Sequence, residues 1–195
     1  MNEIRTVCIY SASSTQVPEA YFKAAREVGE LCALHHIRIV NGAGRAGLMR
    51  ACADACLSAG GKVTGVIPSF MIEQGWQHTG LTELIETPDM HSRKETMADL
   101  SDGVIALPGG CGTLEELLEV ITWKQLGLYL KPVIILNTDG FFNPLLEMLN
   151  KAVDEHFMRP EHLQIWRVAA TPLQAVEFLY TTPLWSKEIQ KYAAI

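Results

Sequence analysis

The residues best suited to chemistry lie in the stretch PGGCGTLEE, which runs from Pro108 to Glu116 and directly follows the apolar run GVIALP. Glycines and a threonine stand here between a predicted strand and the predicted helix LEELLEVITWKQL, which Thr113 begins. The first N–H groups of a helix have no partner within it and carry the positive end of its dipole, so a phosphate binds there readily. The stretch therefore predicts an anion-binding loop, and two carboxylates, Glu115 and Glu116, follow it directly.

A purely structural explanation competes for the same residues. Thr113 and Glu116 have the T-x-x-E spacing of a capping box, in which Glu116 only accepts a hydrogen bond from a loop amide. Because caps are far more common than active sites, this loop taken alone favours the cap. Cys111 has no histidine beside it in the sequence, so we interpret it as a small space-filling residue rather than a nucleophile.

A second segment, PDMHSRKETMADL, changes this balance. It is typical of a helix capped by Asp89, and Arg93 lies on its apolar side by the i, i+4, i+7 spacing, whereas Lys94 and Glu95 are predicted to turn away. An inward arginine needs an anionic partner, either a ligand or a carboxylate such as Glu116. The predicted apolar stripe of this helix consists of Met90, Met97 and Leu100.

The scaffold that must position these residues is indicated by short β-rich runs that alternate with helical patterns. This alternation predicts an α/β fold, with a parallel sheet wrapped by helices, in a single domain of residues 1–195. Asn143 and Thr171 each precede a proline and are predicted helix N-caps, and residues 183–195 are predicted to be an appended helix or a tail. The predicted strands are 6–10, 37–40, 62–67, 83–87, 103–107, 132–137 and 166–170.

Ligands bind such a sheet outside the carboxyl ends of its strands, and two further loops there are unusual. The first, SASST, is small and hydroxyl-rich and contains Ser13; the second, NGAGRAGLM, matches G-x-G-x-x-G through Gly42, Gly44 and Gly47. A dinucleotide site is disfavoured, because the glycines follow the second strand and the next strand ends in Pro68 rather than in an acidic residue. A ligand contact and tight helix packing explain these glycines equally well.

Composition narrows the class of protein. The chain has 195 residues, 48% of them hydrophobic and 19% charged, with a net charge of −6. This acidic balance disfavours a duplex nucleic-acid binder, and we expect no membrane partner, because no signal peptide and no apolar run of roughly 18 residues is present. Five cysteines without a CxxC pair fit the cytoplasm, and Cys52 and Cys56 are interpreted as buried apolar residues rather than metal ligands.

Taken in order, the motifs MHSRKETM and PGGCGTLEE, with GLM, GVIP, HTGLTEL, TWKQLG and KPVIILNTDGFF around them, resemble those of the LOG family. Members of that family are cytokinin riboside 5'-monophosphate phosphoribohydrolases, many of them once labelled possible lysine decarboxylases. The resemblance implies a Rossmann-like, doubly wound parallel sheet of about seven strands. It also implies a homodimer, or a multiple of one, that hydrolyses the N-glycosidic bond of N6-modified AMP to a free base and ribose 5-phosphate, without a cofactor or metal.

Carried onto this chain, the resemblance implies that Arg93 and Glu116 are the catalytic residues. Glu116 is expected to stabilise the ribose cation and activate water, while Arg93 is expected to bind either the phosphate or Glu116. The chain departs from the family pattern at NGAG, at Arg45 and Arg50, and at Gly75, which leaves the base preference open. The implied substrate contacts, including candidates from the neighbouring loops, are Lys94, Gly109, Gly110, Gly112, Thr113, Glu115, Met90, Ser13, Gly42 and Gly44.

Two other classes of function remain as alternatives. A non-catalytic nucleotide or molybdenum-cofactor carrier would keep the glycine loop but would have no need for both Arg93 and Glu116. A pyridoxal-phosphate decarboxylase would need a Schiff-base lysine, which the sequence does not identify. For the dimer, the apolar stretches FMIEQGW and ITWKQLGLYL offer either aromatic surface or core.

Overall fold

The computed structural model describes residues 1–189 and has an α/β architecture. Each of the seven predicted strands is present, with both ends within one residue of the prediction. The strands are β1 Thr6–Tyr10, β2 Arg38–Asn41, β3 Val63–Pro68, β4 Glu83–Thr87, β5 Val104–Ala106, β6 Val133–Leu136 and β7 Arg167–Ala169. The helices are α1 Glu19–Leu34, α2 Gly47–Ser58, α3 Ser69–Glu73, α4 Met90–Asp99, α5 Cys111–Gln125, α6 Asn143–Asp154 and α7 Pro172–Thr181.

The strands form one parallel sheet in the order β4-β3-β2-β1-β5-β6-β7. The chain first builds outward from β1 to β4 and then returns to the other side of β1, so the winding direction reverses between β1 and β5. This is the doubly wound, Rossmann-like arrangement that the resemblance implied. A crevice opens at such a reversal, outside the carboxyl ends of the two central strands.

Helices cover both faces of the sheet, because alternate side chains of the central strands are buried on opposite sides. Val7 and Ile9 point into a core with α1, α2 and α7, whereas Cys8 and Tyr10 point into a second core with α4, α5 and α6. The predicted burial of Cys52 and Cys56 is confirmed.

Two of the predicted helix N-caps are confirmed. Asp89 and Thr171 are N-caps whose side chains accept hydrogen bonds from backbone N–H groups three residues later. The predicted cap at Asn143 is wrong, because α6 already includes Asn143. Its Oδ1 atom instead accepts a hydrogen bond from Asn137 Nδ2 at 2.8 Å.

The C-terminal segment is a strap rather than an α-helix as far as the structure describes it. Residues 183–186 have no regular structure, and one 3-10 turn follows at Lys187–Ile189. The strap is held where the N–H of Trp185 donates to the carbonyl of Leu130 at 2.8 Å. The rest of the predicted helix or tail, residues 190–195, lies outside the described residues, and none of the helices within residues 1–189 is long and apolar enough to cross a membrane.

Candidate functional site

A cavity of about 400 Å³ lies at the carboxyl ends of β1, β2 and β5, where the winding of the sheet reverses. Backbone hydrogen bonds join the three loops that surround it, from Ala12 N to Pro108 O at 3.3 Å and from Met49 N to Ala12 O at 3.1 Å. Ten of the predicted site residues line it: Ser13, Gly42, Gly44, Met90, Arg93, Gly110, Gly112, Thr113, Glu115 and Glu116.

Arg93 enters the cavity from α4. The Asp89 carboxylate accepts a hydrogen bond from Ser92 N at 2.8 Å and fixes the start of this helix, which places Arg93 one turn further on. The predicted inward direction is confirmed, since Arg93 is only 5% exposed. The predicted stripe is correct only at Met97, because Met90 lies at the cavity rim and Leu100 at the surface, both exposed.

Arg93 and Glu116 form a buried ion pair. Arg93 Nη1 donates to Glu116 Oε1 at 2.9 Å, and Arg93 Nε donates to the carbonyl of Val66 at 3.2 Å. Their side chains are 6% and 7% exposed. Burial raises the pKa of Glu116 above its ordinary value, and the positive charge of Arg93 opposes part of that rise.

The capping-box explanation for Glu116 is wrong. The helix α5 begins at Cys111, and its N-cap residue is Gly110, which has no side chain to cap it. Thr113 therefore lies inside the first turn and Glu116 in the second. Both then fall on the buried side of the helix. Helical spacing predicts a buried stripe of Leu114, Leu117, Leu118 and Ile121 on this helix. Leu117 and Ile121 are buried and Leu114 is partly buried, but Leu118 is exposed.

The first turn of α5 lines the cavity through Gly110, Cys111 and Gly112. Its leading N–H groups have no acceptor within the helix, and a side chain at Gly110 or Gly112 would meet nothing within 4 Å. This open, positively polarised end can accept an anion. Cys111 is exposed here, so its interpretation as a small space-filling residue is wrong.

Two predicted contact residues do not line the cavity. Lys94, predicted to turn away, is buried, and its Nζ atom pairs with Glu115 and, at 3.1 Å, with Glu119. Gly109 has a packing role, because a side chain there would lie 2.1 Å from Thr113 Oγ1. Lys94 is therefore connected to the cavity through Glu115, which does line it.

Packing also accounts for the end of the G-x-G-x-x-G pattern. Gly47 has a φ of +64°, and a side chain there would lie 2.4 Å from the backbone of Ser13, so the first two loops meet only because this residue is glycine. Gly44 N–H faces Met49 Sδ at 2.9 Å. These contacts build a wall of the cavity and do not require a dinucleotide.

Sequence reasoning missed several lining residues. Ser11 is 4% exposed, and its Oγ atom has no hydrogen-bond partner among residues 1–189. Its place in the hydroxyl-rich SASST loop was the available signal. Met49 and Met71 bring thioethers to the same cavity as Met90, and no local pattern marked them.

The chain is similar to known proteins in both sequence and fold. A family model described as possible lysine decarboxylase matches residues 49–179. A probable cytokinin riboside 5'-monophosphate phosphoribohydrolase of Oryza sativa subsp. japonica is 44% identical over 178 residues, which are 91% of this chain and 73% of that protein. A cytokinin riboside 5'-monophosphate phosphoribohydrolase of Arabidopsis thaliana is 42% identical over 91% of this chain and 78% of its own.

Among solved structures, the molybdenum cofactor binding protein from Rippkaea orientalis matches with a TM-score of 0.71 at 23% identity, covering 92% of this chain and 97% of that chain. At that identity the likeness establishes the fold alone. The family model and the curated relatives, at 42–44% identity over 91% of this sequence, show that the chain belongs to the LOG family.

Proposed function

We propose that this protein hydrolyses the N-glycosidic bond of adenosine 5'-monophosphates, including N6-modified ones, to a free base and ribose 5-phosphate. The observation that carries the proposal is the buried Arg93–Glu116 pair on the wall of a cavity that also receives the open first turn of α5. The names of the curated relatives support the same reaction.

The first turn of α5 is the proposed phosphate anchor. Gly110 and Gly112 leave it unobstructed, and Ser11 and Thr113 supply hydroxyl groups from the cavity wall. Because Glu116 lies one turn further along the same helix, a nucleotide bound by its phosphate would bring its ribose towards that carboxylate. This arrangement answers why carboxylates follow an anion-binding loop.

The charge that develops during cleavage explains the catalytic pair. As the C1'–N9 bond breaks, the ribose becomes oxocarbenium-like and positive while the base gains electrons. The Glu116 carboxylate stabilises the cation and orients or deprotonates the attacking water. Arg93 favours the ionised form of Glu116, which burial alone would disfavour.

The lysines argue against the decarboxylase alternative. Lys94 is committed to Glu115 and Glu119, and it does not line the cavity. Burial lowers the pKa of Lys124 to about 8, but this side chain is 0% exposed and its Nζ atom donates to the carbonyl of Lys131 at 2.8 Å. Neither amine is presented to a pyridoxal aldehyde at this site.

We also propose a cytoplasmic homodimer, or a multiple of one. Exposed apolar side chains support this: Phe70 and Trp76 in the stretch FMIEQGW, and Leu126 and Leu128 in ITWKQLGLYL. Light scattering together with an activity assay tests the assembly. A stable monomer with full activity would refute it.

The reaction is tested by chromatographic assay of a panel of purine nucleoside 5'-monophosphates, with the matching nucleosides as controls. We expect release of the base from the monophosphates and at least a tenfold lower rate on nucleosides, because the phosphate anchor is then unused. Equal rates on nucleosides and monophosphates would refute the proposed phosphate anchor. Tight binding of a monophosphate with no turnover would instead favour a carrier.

A further inference from the structure

Gly42 lies directly against the catalytic arginine. A methyl group in place of its second α-hydrogen would be 1.9 Å from Arg93 Nη2 and 3.0 Å from Arg93 Cζ. Both distances are far below van der Waals contact, so the guanidinium occupies the volume that a side chain at position 42 would need.

The backbone does not require glycine at this position. Gly42 is absent from the residues of positive φ, in contrast to Gly47, so an L-amino acid could adopt its conformation. The space taken by Arg93 is therefore the reason for the missing side chain.

Arg93 has little freedom to move aside. Its Nε atom donates to the carbonyl of Val66, its Nη1 atom donates to Glu116, and the residue is 5% exposed. Gly42, which directly follows β2, lies against the remaining side of the guanidinium. The guanidinium is thus held between β2, β3 and α5, and a displacement large enough to admit a methyl group breaks at least one of the two hydrogen bonds.

We propose that Gly42 is a positioning residue that acts through Arg93: the absence of its side chain seats the guanidinium against Glu116. Arg93 is the residue that excludes a side chain at position 42, since the three atoms nearest to a methyl group there all belong to Arg93. The role of Gly42 in catalysis rests on the proposed function. The position of Arg93 between Gly42 and Glu116, called the seat below, is a property of the apoprotein.

A double-mutant cycle tests the proposal. We expect Gly42→Ala to lower kcat at least tenfold with a much smaller change in KM, because a misplaced Arg93 leaves Glu116 without its partner. In the Arg93→Ala background no guanidinium remains to clash, so Gly42→Ala should change kcat by less than about twofold. The proposal would be overturned if the losses in kcat of the two single variants multiply in the double variant. A Gly42→Ala enzyme with near-normal kcat would also overturn it.

A measurement on the apoprotein separates failure of the seat from failure of the proposed activity. NMR titration of the Glu116 carboxyl should show its midpoint moving upward in Gly42→Ala and in Arg93→Ala. The matched control is Gly112→Ala, whose new methyl meets nothing within 4 Å and should leave that midpoint in place. An unchanged midpoint in Gly42→Ala refutes the seat even if the wild-type protein shows no hydrolase activity.

A comparison of folding stability tests the proposal even if the single variant is unstable. If Gly42→Ala does not fold, the double variant with Arg93→Ala should fold as stably as Arg93→Ala alone, as judged by thermal unfolding. A double variant that also fails to fold would place the clash elsewhere and overturn the proposal.

Discussion

Glu116 Oε1 accepts a hydrogen bond from Arg93 Nη1 at 2.9 Å, across 23 residues of sequence and between two different helices. In the protein without substrate, Arg93 thus binds Glu116, which is one of the two partners that the sequence left open. A buried carboxylate held by a single guanidinium is positioned and can be charged, which are the two conditions for a group that stabilises a cation.

Replacing Glu116 with glutamine tests the carboxylate. Glutamine keeps the shape and can still accept the hydrogen bond from Arg93, but it has no charge, so we expect kcat to fall by roughly 10²-fold or more with AMP binding nearly intact. Steady-state kinetics and isothermal titration with AMP provide the measurements. Glu95→Gln, at an exposed position of α4, is the matched control. A Glu116→Gln enzyme with near-normal kcat on every monophosphate would remove Glu116 from the mechanism.

The pH dependence of kcat follows from the direction of the Glu116 shift. Burial raises its pKa above the ordinary value of 4.5, so the active carboxylate form is lost as the pH falls through that raised value. Replacing Arg93 with methionine removes the opposing charge and should move the acidic limb to still higher pH. A pH–rate profile of both proteins checks the shift, and coincident acidic limbs would contradict it.

Ser11→Ala separates substrate binding from folding. The Ser11 hydroxyl is buried without a partner within residues 1–189, so its removal should leave the melting temperature unchanged or slightly higher. If a substrate oxygen satisfies this hydroxyl, KM for monophosphates should rise about fivefold to tenfold, the value of one hydrogen bond. Ser58→Ala, at an exposed position on α2, is the control. A lower melting temperature with unchanged KM would show that the hydroxyl is structural.

Lys124 gives a prediction about stability. Its folded pKa of about 8 lies below the ordinary 10.5, so below pH 8 the folded protein carries a buried ammonium at a cost, and the cost is relieved as the pH rises towards 10.5. Lys124→Met should therefore stabilise the protein by about 1–2 kcal/mol at pH 7, the cost less the lost hydrogen bond. Its advantage should shrink by pH 10, as measured by denaturant unfolding at both values. An advantage that is the same at both pH values would contradict this account.

The strands were predictable because buried parallel strands have short apolar runs that turn residues interrupt. The inward direction of Arg93 was also predictable, since three helix positions at fixed spacing determine a face. In contrast, the start of α5 was placed at Thr113, whereas the helix begins two residues earlier, at Cys111. That error produced the capping box, because the box requires Thr113 at the N-cap position, which Gly110 occupies.

Contacts between distant segments could not be predicted from local patterns. Lys94 turns inward because Glu115 and Glu119 on the neighbouring helix compensate its charge, and nothing within α4 reports that neighbour. The same holds for Met71, which reaches the cavity from a five-residue helix after β3. The family resemblance implied that Arg93 and Glu116 are the catalytic residues, and the structure shows how the two side chains lie relative to each other.

The strap at the C-terminal end supplies the protein with an optical reporter. The Trp185 indole lies over the Lys124 ammonium, with 5.6 Å between Nζ and the ring centroid. A charge so close to an indole alters its excited state, so fluorescence emission from Trp185 will register whether Lys124 is protonated. Emission recorded through pH 8, against Lys124→Met as the blank, then follows the ionisation of Lys124 beneath the strap.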